Sequence, residues 1–187
     1  GIASPRDQVI ADLYVGLVKD SLKKEVYPAY LAGLSYDLRA VDAGIQILIE
    51  GFEDKQLLLF RLVLERFLSL KIDDAKLTTE KESFKKKISN LALNKPYQQA
   101  LNTLQELLIS TKHGPNKLLA NIDNINKTAL LKWRERVLTG VSIRAGIHGN
   151  VTDSDLTKFK NYLEETLPLL AVNRFKPDLL EIDKIYD

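Results

Sequence analysis

From Ile10 to Val26, apolar residues fall three and four apart: Ile10, Leu13, Tyr14, Leu17, Val18, Leu22 and Val26. That spacing predicts a long amphipathic helix whose polar face carries Asp12, Lys19, Asp20 and Lys23. Ser4 is placed to cap it, and Pro5 suits its first position, where a missing N–H costs nothing. Pro28 either kinks the helix or limits it to about Tyr27, and Gly33 ends it. The period then becomes two. Leu34, Tyr36, Leu38 and Ala40 alternate with Ser35, Asp37, Arg39 and Val41; after a turn near Asp42-Ala43-Gly44, Ile45, Ile47 and Ile49 alternate with Gln46, Leu48 and Glu50. Two alternating runs across a short turn predict an antiparallel hairpin with one buried face.

Helical spacing returns after Gly51. Asp54 is a plausible cap for a helix carrying Leu57, Phe60, Leu64 and Phe67, and Asp73 or Asp74 for one running through Phe84 and Ile88 to about Asn90. Pro96 opens a helix with Ala100, Leu101, Leu104, Leu107 and Leu108 on its apolar face. His113-Gly114-Pro115 breaks the pattern before a short helical stretch at Leu118-Leu119. Asn126 caps a helix containing Leu130, Trp133 and Val137, stopped by Gly140. A further strand is expected at Val141, Ile143, Ala145 and Ile147, then a turn at Gly149-Asn150. Thr152 and Asp155 imitate a capping box for a helix with Leu156, Phe159, Leu163 and Leu167. Beyond Pro168 the pattern fades, and about 171–187 reads as a linker or tail, or as a strand awaiting a partner.

This order makes an α+β chain with helices on one face of a small antiparallel sheet, a hairpin plus a later strand. Residues 1–187 form one domain on this reading. Three strands are few for so much helix, so the domain is read as incomplete, gaining strands from residues outside the sequence. The start at Gly1 and the lack of methionine point the same way, to a processed product or a piece of something longer, without a visible signal peptide.

Composition narrows the chemistry. With 27 Lys+Arg against 25 Asp+Glu, the net charge of +2 argues against a dedicated nucleic-acid or membrane-surface protein. No apolar run approaches the roughly 18–20 residues of a membrane span. The absence of cysteine excludes thiol catalysis, thiolate zinc sites and disulfides, and leaves the redox compartment unread. Two histidines, His113 and His148, leave few ways to build a histidine-rich metal site.

The local motifs favour structural roles. No phosphate-binding glycine loop and no nucleophile elbow occurs. Gly146-Ile147-His148-Gly149 lies at a strand end, where glycine serves a turn or close approach. His148 shares a strand face with Arg144, and without a His-Glu-x-x-His or His-x-x-Glu-His cluster it reads as a hydrogen-bonded turn residue; His113 reads as a loop histidine. Lys85-Lys86-Lys87, with Lys81 a turn earlier, lacks interleaved aromatics and reads as a solvated helix face. The paired carboxylates Asp73-Asp74 and Glu164-Glu165 are sequence neighbours that point in different directions on a helix. The sequons at Asn126 and Asn150 coincide with cap and turn positions, and Trp133 reads as core. These residues therefore yield no catalytic, cofactor-binding or metal-ligating assignment.

Four passages together resemble the pitrilysin and insulin-degrading enzyme (insulinase) family. They are Gly33-Leu34-Ser35-Tyr36-Asp37-Leu38, Glu50-Gly51-Phe52-Glu53-Asp54-Lys55-Gln56, Asn94-Lys95-Pro96-Tyr97-Gln98-Gln99-Ala100, and Ile147-His148-Gly149-Asn150-Val151-Thr152. The likeness runs from roughly Leu13 to Leu170, in the family's order. It implies one of four homologous α+β, metallohydrolase-like domains that form two bowl-shaped halves around a closed chamber. The match is to the third, a degenerate copy lacking the inverted zinc motif of the first. The resemblance thus implies a non-catalytic domain of a zinc metalloendopeptidase. Zinc would lie in the parent protein's catalytic domain, and the partners would be the other domains of that chain and its peptide substrates. It implies a periplasmic or cytoplasmic setting, the periplasm favoured for a bacterial source. Two alternatives stand beside it: an inactive structural subunit of a two-chain processing-peptidase-like complex, and a helical protein-interaction adaptor.

Overall fold

The computed structural model describes residues 4–41, 44–51, 55–109, 112–139, 143–149 and 152–167. Its contacts divide the chain into residues 1–134 and residues 135–187.

The first unit is built around α1 (Pro5–Leu31). Ser4 Oγ accepts from the Asp7 N–H at 3.1 Å and Pro5 takes the first position, as the sequence predicts. Val9, Leu13, Tyr14, Val18 and Leu22 are wholly buried, and Ile10, Val15 and Leu17 nearly so. So many buried positions exceed one stripe, because α1 is covered by other elements on several sides. Pro28 does not stop the helix, which continues to Leu31. The carbonyl a proline frees is that of Lys24, and both residues are exposed, so water can satisfy it. The end itself is a Schellman motif: Leu34 N–H donates to Ala29 O and Gly33 N–H to Tyr30 O, both at 3.0 Å, with Gly33 left-handed at φ +80°.

The hairpin has the expected face. β1 (Ser35–Val41) and β2 (Gly44–Glu50) pair antiparallel with Tyr36 opposite Ile49, Leu38 opposite Ile47 and Ala40 opposite Ile45. Leu38 is buried, and Ile45, Ile47 and Ile49 are half-buried, whereas Gln46, Leu48 and Glu50 face solvent. α1 packs on β1, and α2 (Gln56–Ser69) packs on β2. Gly51 closes the hairpin at φ +149°; a Cβ there would lie 2.9 Å from Gly33 O and 3.1 Å from Leu34 Cα, so the exit is pressed against the entry.

The deepest residues of α2 are Leu59, Val63, Leu64 and Phe67, with Leu57 and Phe60 half-buried, so its inner face is turned slightly from the predicted one. Lys55 occupies the cap position without a side-chain bond, and the expected Asp54 cap lies outside the described residues. α3 (Asp74–Asn90) starts at Asp73, whose carboxylate accepts from the Ala75 N–H at 3.0 Å, and buries Leu77, Phe84 and Ile88. A short 3₁₀ turn at Leu91–Leu93 leads to α4 (Pro96–Leu108), followed by α5 (Pro115–Ile122), which buries Leu118 and Ile122. α6 (Lys127–Thr139) is capped by Asn126, whose Oδ1 accepts from the Ala129 N–H at 3.0 Å. Its Leu130 and Trp133 enter the core, Trp133 lying against Tyr14 with ring centroids 5.6 Å apart.

The apolar face of α4 is not covered by the rest of the unit: no residue of that helix is buried. One expectation is corrected: the later strand is not formed among the described residues. Ile143 to His148 are exposed and carry neither helix nor strand pairing, since a strand exists only through the ladder bonds of a neighbour. Val141 and Ser142 lie outside the described residues. In the second unit, α7 (Asp153–Thr166) carries the predicted capping box, with Thr152 Oγ1 accepting from the Asp155 N–H at 3.3 Å and the Thr152 N–H donating to Asp155 Oδ2 at 3.2 Å. The tail at about 171–187 lies outside the described residues.

Candidate functional site

Of the charged side chains singled out by sequence, Lys81 and Lys85 join helices. Lys85, from the basic run of α3, pairs with Asp123 beyond the end of α5 at 2.9 Å and with Glu82 at 3.5 Å, while Lys81 Nζ donates to the Asp123 carbonyl at 3.3 Å. The Lys85 ammonium holds the Asp123 carboxyl below its ordinary range. This run is therefore partly a strap from α3 to α5. Asp73 is a cap and Asp74 lies in the first turn of the same helix. Glu164 and Glu165 are both exposed on α7, Glu164 lying 3.9 Å from Lys160.

The two histidines are not brought into a common ligand group. His113 is half-buried near Glu106, and its Nε2 finds no hydrogen-bond partner among the described residues; His148 is exposed. Among the described residues, no three His, Cys, Asp or Glu side chains are grouped to hold a metal ion. Zinc calls for three or four such ligands, so the described residues do not fit a zinc site. No helix among them is long and apolar enough to cross a membrane.

A feature that no motif of the sequence announces lies between α1 and α3. Asp12 and Glu80 are half-buried acids whose carboxyls are pushed up, in each case chiefly by burial; Lys87 opposes the shift at both, and Asp20 adds to it at Glu80. The Glu80 carboxyl lies against Gly16, at a spot that a Cβ would occupy. The available signal was Gly16 itself, an isolated glycine inside a strong helical pattern. Alongside, Asp20 bridges Lys23 at 2.9 Å and Lys76 at 3.3 Å. With a single carboxyl against the glycine and lysines around it, this layer fixes the approach of two helices.

The family comparison decides what such a scaffold belongs to. A profile described as the middle or third domain of peptidase M16 matches residues 2–121. The chain belongs to the peptidase M16 family. The match spans α1, the hairpin, α2, α3, α4 and most of α5, so this middle domain is defined by the helix-and-hairpin body described above. Human insulin-degrading enzyme is 30% identical over 158 residues, 84% of this chain but 16% of that protein. The Drosophila melanogaster insulin-degrading enzyme is 28% identical over 172 residues, 88% of this chain and 17% of that protein. Rat nardilysin is 26% identical over 175 residues, 93% and 15% respectively. The chain thus spans about a sixth of the length of these relatives. The crystal structure of pitrilysin superposes with a TM-score of 0.78 at 20% identity, over 89% of this chain and 18% of that one, which shows a shared α+β fold.

Proposed function

We propose that this chain is a non-catalytic domain of a zinc metalloendopeptidase, and that it helps to wall a chamber in which unfolded or short polypeptides are degraded. The observation that carries the reading is the match of residues 2–121 to the middle domain of the family rather than to a catalytic one. The engagement of Asp73, Asp123, Lys81 and Lys85 in caps and helix-to-helix bonds accords with it. On this reading, the zinc and the residues that act with it belong to another domain of the same polypeptide. The contribution of the middle domain is mechanical: a wall excludes folded substrates by size.

The test is the intact mass and zinc content of the natural polypeptide containing this segment, captured from its source, together with its peptide hydrolysis. A chain several times this length, carrying one zinc and cleaving peptides, is the expected result. A short chain without zinc would overturn the proposal and move the function to scaffolding. Zinc-dependent cleavage by residues 1–187 alone would overturn the non-catalytic assignment.

A further inference from the structure

α4 is built inside out. Tyr97, Leu101, Leu104 and Leu108 follow one another four, three and four residues apart, which places them on one face with Leu107 at its edge. Their exposures are 59%, 53%, 48% and 74%, with 77% at Leu107. The helix's only charged residue, Glu106, is its only half-buried one. Glu106 faces the rest of the domain, where its carboxylate pairs with Lys117 of α5 at 3.1 Å and accepts from the Gly114 N–H. An amphipathic helix of a self-sufficient domain shows the opposite arrangement, leucines inward and carboxylate outward. The 13 residues of α4 also gain little from propensity alone, because helices this short are marginal without packing.

We infer that the Tyr97–Leu101–Leu104–Leu108 face of α4 is a docking surface covered by another domain of the same polypeptide, through an apolar and uncharged patch of that domain. The inference rests on the reading above, that the chain is one domain of a longer protein. Two observations select this occupant. The relatives have more than four fifths of their length outside the matched segment, so in such a chain a neighbouring surface is held close at high effective concentration. The polar part of the remaining α4 surface is Gln98, Gln99, Asn102, Thr103 and Gln105, with no Lys or Arg. A membrane-surface helix would carry cations there, whereas depletion of charge is the mark of a buried interface core.

The test uses the full polypeptide. The 187 residues contain no cysteine, so Leu101→Cys and Leu104→Cys each add one thiol to this segment, and its alkylation can be read by peptide mass. The proposal expects each to react at least about tenfold more slowly in the native protein than in denaturant, independently of protein concentration. Reaction within about tenfold of the denatured rate overturns it. So does a slowing that disappears on dilution, which would assign the face to a second copy. Should either variant fail to fold, amide exchange of Pro96–Leu108 in the unsubstituted protein decides: protection comparable to that of α1 is expected, and exchange like that of a frayed helix overturns the inference. The intact mass of the same sample separates the two failures. A polypeptide no larger than this chain defeats the multidomain reading and this inference with it, whereas a long polypeptide with an open α4 defeats this inference alone.

Discussion

Replacing Tyr14 by Phe removes one oxygen from the centre of the first unit, and the structure says what that oxygen does. The last carbonyls of any α-helix lack intrahelical partners. In α2 one of these belongs to Phe67, and the buried Tyr14 hydroxyl donates to it at 2.5 Å. Just beyond it, the Leu70 carbonyl accepts from Arg134 Nη1 at 3.3 Å, so α1 and α6 together terminate α2. Tyr14→Phe keeps the ring contacts, including the edge-on approach to Phe67 at 5.1 Å, and leaves one buried acceptor without that donor. The cost of such an orphan is about 1–3 kcal/mol, and we expect about 2 kcal/mol here. For a chain of this size that corresponds to a fall of roughly 4–8 °C in Tm. The assay is urea unfolding read by Trp133, the only tryptophan, which is buried against Tyr14. The alkaline limb gives a second readout. Burial raises the Tyr14 phenol above its ordinary 10.0, with Arg134 acting in the opposite direction. A raised folded value favours the neutral phenol, so its contribution is whole below the unfolded value and is lost as pH rises through the folded one. The stability gap between wild type and variant should therefore narrow above about pH 10. A variant within about 0.5 kcal/mol of wild type at neutral pH would refute the claim that this hydroxyl terminates α2.

The layer between α1 and α3 gives predictions of the opposite sign to Tyr14→Phe. Glu80→Gln should stabilise the chain at pH 7 by about 0.5 kcal/mol, because burial and Asp20 disfavour the carboxylate; stability referred to Glu80 is greatest below its unfolded value and falls as pH rises through the raised one, so the gain should vanish in an acid titration of Tm. Gly16→Ala should also stabilise, by about 0.5–1 kcal/mol, since helix propensity gains and the displaced neighbour is the flexible end of Glu80; measured together with Glu80→Gln, the two should couple rather than add. Gly51→Ala should cost about 1–3 kcal/mol in denaturant unfolding, because its left-handed φ and the adjacent Gly33 carbonyl leave no room for Cβ. Thr152→Ala should cost α7 about 1 kcal/mol, seen as faster amide exchange in its first turn, since the hydroxyl caps the Asp155 N–H.

Much of the local structure could be read before any coordinates. Hydrophobic periodicity located α1 and the alternating runs of the hairpin, including Leu38 and Ile47; the structure then sets these two opposite each other, a register that a one-residue slip would lose by turning the isoleucines of β2 to solvent. Ser4, Asp73, Asn126 and Thr152 appear in their predicted cap roles, since a cap depends on a side chain and a backbone only two or three residues away. Three of the four passages that resemble the family lie within residues 2–121, which the profile of its middle domain matches, and the fourth lies beyond them. By contrast, the amphipathicity of α4 announces an apolar face without saying what covers it, and only the position of Glu106 against Lys117 and Gly114 shows that face turned away from the domain. The run Ile143 to His148 has a strand's alternation, but pairing depends on an edge that no residue within the run can supply. Gly16 likewise reads as a flaw in a helix until α3 brings Glu80 across it. Periodicity, caps and register are short-range properties, carried by neighbours along the chain. Which face meets which element depends on contacts between residues distant in sequence, and these exist only once the tertiary structure has formed.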